Sequence, residues 1–391
     1  MNDFGSKIYD AAKKAVKEVY DLEPAEGQLI IETPQDTKLG DYSTSIAMKL
    51  SRTLRRNPME IAEPLVAKLA ELLPECESIT VARPGFINFK LKQSALAAVI
   101  NEVIAAGDDY GKNDSGKDKH MLLEWVSANP TGDLHCGHAR NAAWGDCIAR
   151  MMEASGWDVL REFYVNDAGN QIEKFAKSLE ARYLQIIKGE DAVEFPEDGY
   201  HGDDIRELAR AFYDREGEKY LDCDQKTRHD ALARFGLDNN IPKMQRDLAR
   251  YGITYDQWFF ESSLHESGYV ADSVQALTDL GYTYEKDGAL WLHTSRILAE
   301  NLKKAGKSDA DIEKLGLKDD VLRRANGFYT YFAADIAYHR NKFAVRGFDK
   351  VINVWGADHH GHVARLKGAM DALGLDGEHR LDIVLMQLVK L

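Results

Sequence analysis

Positive charge is in short supply. Fifty Lys and Arg face 64 Asp and Glu, a formal net charge of -14, which excludes a protein that grips nucleic acid by bulk attraction and leaves any polyanion to local patches. Cysteine is sparse too: Cys76, Cys136, Cys147 and Cys223 show no CxxC spacing, so neither a disulfide framework nor a zinc knuckle is encoded. No run of about 18 apolar residues is present, as a membrane span would need. Met1-Asn2-Asp3-Phe4 lacks the basic-then-apolar start of an export signal, and there is no internal repeat or low-complexity tract. A soluble protein of the reducing cytoplasm, with no membrane contact, is the expectation. With 391 residues, 44% of them hydrophobic, the chain has material for two or three domains with sizeable cores.

Ile8, Ala11, Ala12, Ala15, Val16 and Val19 recur at helical spacing and predict a helix over 7–20. Residues 29–32 read as a short strand, 41–54 as a helix, 60–73 as a helix stopped by Pro74, and 79–82 and 86–91 as paired strands. That is a small α+β domain over 1–107. The polar, glycine-rich segment 108–116 reads as a linker. Beyond it, a strand over 121–126, a Pro/Gly loop, a helix over 138–154 ended by Gly156, and a strand over 159–165 form a βαβ unit. Such a unit implies an α/β fold with a parallel sheet and right-handed crossovers, here over 117–391. Residues 172–254 are mostly charged helix, the composition of a helical insertion, and sheet pattern returns at 290–293 and 351–354 with a helix near 331–343 between them. The apolar stretch 381–391 reads as strand or helix, and a chain stopping inside it looks cut short.

The sharpest local feature is His135-Cys136-Gly137-His138, where the loop after the first strand meets a helix. Two imidazoles at a helix N-terminus stand where unpaired N–H groups and the dipole already favour anions. Gly137 would let a planar base or ribose approach the backbone. This suits a nucleotide triphosphate without a Walker loop, and none is present, since Gly306-Lys307-Ser308 lacks the glycine five residues upstream. Two blander readings stay open: the pair caps a helix or fills a core, or it joins His359-His360-Gly361-His362 around a metal. The metal reading is weak because no Glu or Cys stands at zinc-site spacing beside these histidines. Tyr331 and Asp335 are four apart on a predicted helix and share a face, where a phenol and a carboxylate could flank one guanidinium or simply meet solvent.

The wider string, Ser127-Ala128-Asn129-Pro130-Thr131-Gly132-Asp133-Leu134-His135-Cys136-Gly137-His138-Ala139-Arg140-Asn141, resembles the arginyl-tRNA synthetase family of class I aminoacyl-tRNA synthetases. So do Tyr164-Val165-Asn166-Asp167-Ala168-Gly169-Asn170-Gln171, Pro84-Gly85-Phe86-Ile87-Asn88-Phe89 and Trp355-Gly356-Ala357-Asp358-His359-His360-Gly361, so the likeness spans the whole chain. One departure is Asp133, where the family has proline, which changes only loop stiffness. The resemblance implies a Rossmann-type catalytic domain that condenses L-arginine with ATP, accompanied by Mg2+, and transfers the arginyl group to the 3' end of tRNA(Arg), with no tightly bound cofactor and no protein-held metal. It implies His135, Gly137 and His138 in catalysis and Asp358 and His362 beside the ribose or adenine. Tyr331 and Asp335 would read the arginine side chain, with Glu124 and Glu261 as further acidic contacts, and Ser127 and Asn129 would hold the α-amino and carboxylate ends. The first domain would read the tRNA elbow, with Lys13-Lys14-Ala15-Val16-Lys17 and Arg52-Thr53-Leu54-Arg55-Arg56 as candidate backbone contacts or as solvated helix faces. The expected protein is a monomer.

The family's KMSK-type loop and helical anticodon-binding domain have no counterpart here, so the chain is expected to be truncated before them and to aminoacylate poorly. Two other classes remain: a nucleotidyltransferase or amino-acid ligase without tRNA, which would not carry the first domain, and a catalytically dead tRNA-binding paralogue. The absent KMSK-type loop favours the second, and the intact HxGH and Tyr331/Asp335 pair speak against it.

Overall fold

A computed structural model describes residues 4–25, 27–387 and 389. The chain divides into two compact units, residues 1–112 and 113–391. In the first, α1 (Phe4–Tyr20) is followed by β1 (Ile31–Glu32), β2 (Tyr42–Thr44), α2 (Ile46–Leu54), α3 (Pro58–Leu72), β3 (Cys76–Ala82), β4 (Phe86–Leu91) and α4 (Gln93–Ala106). Its antiparallel sheet has the order β1-β2-β4-β3. The core is built from Ile8, Ala15, Val16, Ile46, Leu50, Ile61, Leu65, Ile87 and Phe89, each fully buried side chain of leucine size contributing about 2 kcal/mol. The single helix expected over 41–54 is corrected: Tyr42, Ser43 and Thr44 pair with Phe89, Asn88 and Ile87. Asp41 fixes that register by accepting the Leu91 N–H at 2.8 Å.

In the second unit, β5 (His120–Glu124), α5 (Cys136–Ala154) and β6 (Asp158–Val165) form the expected βαβ unit. The helices α6 (Asn170–Lys188), α7 (Asp203–Glu216) and α8 (Gln225–Arg250) then pack on their own core of Phe175, Leu179, Tyr183, Phe212 and Leu232 before β7 (Gln257–Phe260). Next come α9 (Ser262–Glu266), α10 (Tyr269–Asp279), β8 (Thr283–Lys286), β9 (Ala289–Leu292), α11 (Thr294–Lys304), α12 (Asp309–Glu313) and β10 (Asp320–Arg323). They are followed by α13 (Tyr331–Arg340), which continues as a π-helical turn over Asn341–Val345, and by β11 (Lys350–Gly356), α14 (His360–Ala372), α15 (Gly377–Arg380) and β12 (Leu381–Met386).

The strand order β12-β11-β5-β6-β7 is parallel throughout. Alternation explains how β5 sits in the middle: Met121 and Leu123 enter a core with Phe163, Val165 and Met244, while Leu122 faces Ile336, Val351 and Leu366 on the other side. The strand read at 290–293 is not part of this sheet. It lies in an antiparallel three-stranded sheet of order β10-β9-β8, turned by Asp287-Gly288, both at positive φ (52° and 74°). Asp-Gly between two strands is the sequence signal for such a hairpin.

Candidate active site

The chain winds outward from β5 through β6 and β7 on one side, and β11 and β12 lie on the other, so the direction reverses between β5 and β11. At such a switch point the loops leaving two adjacent strands diverge and open a crevice at their carboxyl ends. The loop after β5 carries His135–His138, and the turn after β11 leads into α14 and His362. Asn141 spans the two sides: its Oδ1 accepts the Val126 N–H at 2.8 Å and its Nδ2 donates to the Val354 carbonyl at 3.1 Å.

His135 is the N-cap of α5. Its Nδ1 accepts the Gly137 N–H at 3.1 Å, and the Nδ1 of His138 accepts the His135 N–H at 3.2 Å, a capping box made of imidazoles. The capping reading and the ligand reading are therefore compatible. An Nδ1 that accepts leaves the proton of a neutral imidazole on Nε2, so two rings stacked at 3.7 Å both carry an N–H on Nε2 at the start of a helix. Burial, helped by the neighbouring His135, pushes His138 down to about 4, so it stays a neutral donor at physiological pH. At Gly137 a Cβ would come within 2.9 Å of His135 Cε1, so the missing side chain makes room for the cap itself.

The carboxylates converge on Tyr164, whose hydroxyl is pushed well above its usual range by burial and by the charges of Glu261, Asp335 and Glu124. Glu261, 4% exposed, lines a cavity of about 650 Å³ with Tyr331, Glu173, His265 and Arg324. Burial, with Asp335 adding to it, raises the Glu261 carboxyl. Among the described residues Glu261 has only His265 (3.3 Å) and Asp335 only His362 (2.9 Å) as ion-pair partners. Among the described residues neither carboxylate forms an ion pair with an arginine or lysine, although Arg324 lines the same cavity.

Glu124 is not a free carboxylate in this slot, because its Oε2 accepts from the buried Lys342 at 2.6 Å and its Oε1 from Ser127 Oγ at 3.0 Å. Ser127 Oγ in turn accepts the Tyr164 N–H at 3.1 Å. Asn129 is exposed at the loop surface. His362 packs edge-on to Phe332 and near Trp355, and its bond to Asp335 ties it to the carboxylate slot. Gly356 leads into a short turn over Ala357–His359; the side chain of Asp358 lies outside the described residues.

Several positioning residues were not singled out from the sequence. Asp167 accepts from the backbone N–H and hydroxyl of Ser262 at 2.9 and 2.7 Å, and the Asn166 amide, with its nitrogen inward, donates to Glu261 at 3.1 Å. Both lie in the quoted Tyr164–Gln171 string, but a contact 95 residues away leaves no local trace. Asp133, the departure noted above, pairs with Lys243 of α8, and Asn240 of α8 donates to the Pro130 carbonyl at 2.9 Å. The insertion thus grips the loop that proline would otherwise stiffen.

A parallel sheet with a strand-to-helix imidazole turn at its switch point is the catalytic architecture of the class I aminoacyl-tRNA synthetases. The profile described as the class I (R) tRNA synthetase catalytic domain matches residues 99–380, and that of the arginyl-tRNA synthetase N-terminal domain matches residues 6–91. The arginine–tRNA ligase of Ruminiclostridium cellulolyticum is 47% identical over 399 residues, covering 100% of this chain and 68% of that protein. That of Caldanaerobacter subterraneus subsp. tengcongensis is 51% identical over 361 residues, covering 92% and 61%. The fold also matches the solved Thermus thermophilus arginyl-tRNA synthetase, with a TM-score of 0.68 at 22% identity, over 98% of this chain and 65% of that one. The chain belongs to the arginyl-tRNA synthetase family. It spans 61–68% of the length of the two curated relatives.

Proposed function

We propose that this chain binds ATP and L-arginine, joins them as arginyl-adenylate with release of pyrophosphate, and passes the arginyl group to the 3' end of tRNA(Arg). The arginine carboxylate oxygen attacks the α-phosphorus, the bond from that phosphorus to the bridging oxygen breaks, and the pyrophosphate leaves with the electron pair. A ribose hydroxyl of the tRNA then attacks the activated carbonyl and AMP departs. The protein needs no covalent intermediate. Its task is to hold the carboxylate in line with the phosphate and to supply donors where charge develops.

The observation that carries this reading is the pair of Nε2–H donors locked by the capping box at the α5 N-terminus, in the same unit as the carboxylates of Glu261 and Asp335, whose ion-pair partners among the described residues are imidazoles alone. Neutral imidazoles can bond phosphate oxygens without giving up a proton. Glu261, Asp335 and Tyr331 suit a guanidinium, a planar fork of donors that favours carboxylate oxygens. Mg2+ would travel with the triphosphate as part of the substrate; among the described residues no cluster of three His, Cys, Asp or Glu forms a metal site. Residues 1–107 would meet the tRNA elbow, 108–116 would link them to the catalytic domain 117–391, and the protein would work as a cytoplasmic monomer. Among the described residues no helix is long and apolar enough to cross a membrane.

The test is arginine-dependent ATP–pyrophosphate exchange, with and without tRNA, on this chain and on one extended to the length of its relatives. Exchange should require arginine and reject lysine and citrulline. His135→Ala should lower it on the order of 10²–10³-fold, the usual loss for one donor to developing charge. Exchange supported equally by lysine would refute the acidic slot.

A further inference from the structure

We infer that the groove between α6 and α7, in the helical insertion, binds a phosphate group through Arg182, Arg206 and Arg210. The groove holds a cavity of about 500 Å³ whose lining shares no residue with the cavity at Glu261. It is large enough for a phosphate and part of whatever carries it.

Arg182 bears the weight of the argument. It is 9% exposed, and arginine is almost never buried that far without a paired anion. Its guanidinium lies 4.1 Å from the centre of the Phe195 ring, and Nη1 donates to Gln185 Oε1 at 2.8 Å. Gln185 is fixed in turn, because its Nε2 donates to the Val193 carbonyl at 2.8 Å. A neutral amide and a ring face do not balance a buried charge. The carboxylate oxygen facing Arg182, Glu190 Oε1, stands 3.8 Å away and outside hydrogen-bond range. The Arg182 Nε is buried with no hydrogen-bond partner among the described residues, and burial and the neighbouring Arg206 charge both disfavour the cation. A costly positive charge is thus held at a cavity wall with most of its N–H donors unspent.

Two more arginines come from α7. Arg206 and Arg210 are four apart, share a face, and line the same cavity. Arg206 donates to the same Glu190 Oε1 at 3.0 Å, while Arg210 forms no ion pair among the described residues. One anionic oxygen therefore already stands between two guanidinium groups, which marks the place of an oxyanion. The side chain that supplies it is 68% exposed and hydrogen-bonds only one of the two. Glu207 also lines the cavity, so three arginines against two glutamates leave one positive charge. A phosphate in place of the Glu190 carboxylate brings more oxygens and up to two charges to three planar forks, the match for which arginine clusters are suited. In a chain of net charge -14 this is one of the local patches to which any polyanion is left. The phosphate belongs either to a free phosphate compound or to an RNA backbone.

Inorganic phosphate, titrated by calorimetry into the whole chain at low ionic strength with chloride as control, should bind saturably. Arg182→Met keeps an apolar stem against Phe195 and should weaken that binding at least about tenfold, the loss expected for a hydrogen bond to a charged group. Arg210→Gln, at an exposed position of α7, should weaken it about two- to fivefold without disturbing the fold, and Glu190→Gln should tighten it by about the same factor by removing the competing carboxylate. These two surface variants decide the matter even where Arg182→Met fails to fold. Phosphate binding unchanged in the variants would belong elsewhere, such as the crevice at α5, and overturns the inference, as does the absence of binding. A tRNA(Arg) transcript then separates the two sources. Phosphate competes with it, and Arg210→Gln weakens it, when a backbone phosphate occupies the groove; tRNA affinity indifferent to both assigns the groove to a free phosphate compound. Failure of arginine-dependent exchange would sink the proposed function and leave this site standing.

Discussion

At His135 and His138, one pair of side chains both starts a helix and faces the crevice, and acid separates the two jobs. His138 titrates at about 4 instead of 6.5, so between those values the unfolded chain holds the proton that the folded chain does not. Stability then rises with pH across that window and is lost as pH falls from 6.5 towards 4. His339, pushed well below 6.5 by burial and the Lys342 charge, acts in the same direction. Urea midpoints taken from about pH 4 to pH 7 should fall on the acid side, and His138→Gln should flatten the fall. Gly137→Ala should displace the His135 ring and lower pyrophosphate exchange at least about tenfold while the melting temperature moves little; unchanged exchange would show that the ring's placement is unimportant. The HxGH spacing was visible in the sequence. The tautomer was not, since it depends on which backbone N–H meets which ring nitrogen.

Elements were legible where periodicity was clean and illegible where pairing decided. The βαβ unit follows from its apolar pattern, the helical insertion from its charged composition, and a helix near 331–343 was expected where α13 stands. β2 does not, because Tyr42-Ser43-Thr44 becomes a strand only when β4 is beside it, and the hairpin at Asp287-Gly288 was missed although its turn signal is local. Tyr331 and Asp335 lie one turn apart on α13, and from sequence that face could equally have met solvent: Tyr331 lines the cavity yet stays 45% exposed, while Asp335 is bonded to His362. Asp335→Asn should weaken arginine binding about tenfold to a hundredfold, from the 1.5–3 kcal/mol of a hydrogen bond to a charged group, read by calorimetry against an unchanged melting temperature. On α5, a Cβ at Gly145 would stand 2.3 Å from the Trp125 ring. Gly145→Ala should therefore destabilise by about 1–3 kcal/mol of overpacking, seen as a lower urea midpoint.

Over the whole molecule, two units with separate cores should unfold as two calorimetric transitions, and residues 113–391 alone should keep arginine binding. A single two-state transition would contradict this. The basic stretches of the first unit are partly neutralised at the surface, with Lys14 facing Glu18, Lys17 facing Asp21 and Arg56 facing Glu60, which agrees with the overall acidity read from composition.

The two hydrogen bonds of Asn141 act as a fixed ruler across the crevice, because one amide grips a backbone group on each bank. That pair of banks cannot separate without breaking one of the bonds, so the jaw set by α5 and the ends of β5 and β11 keeps one width.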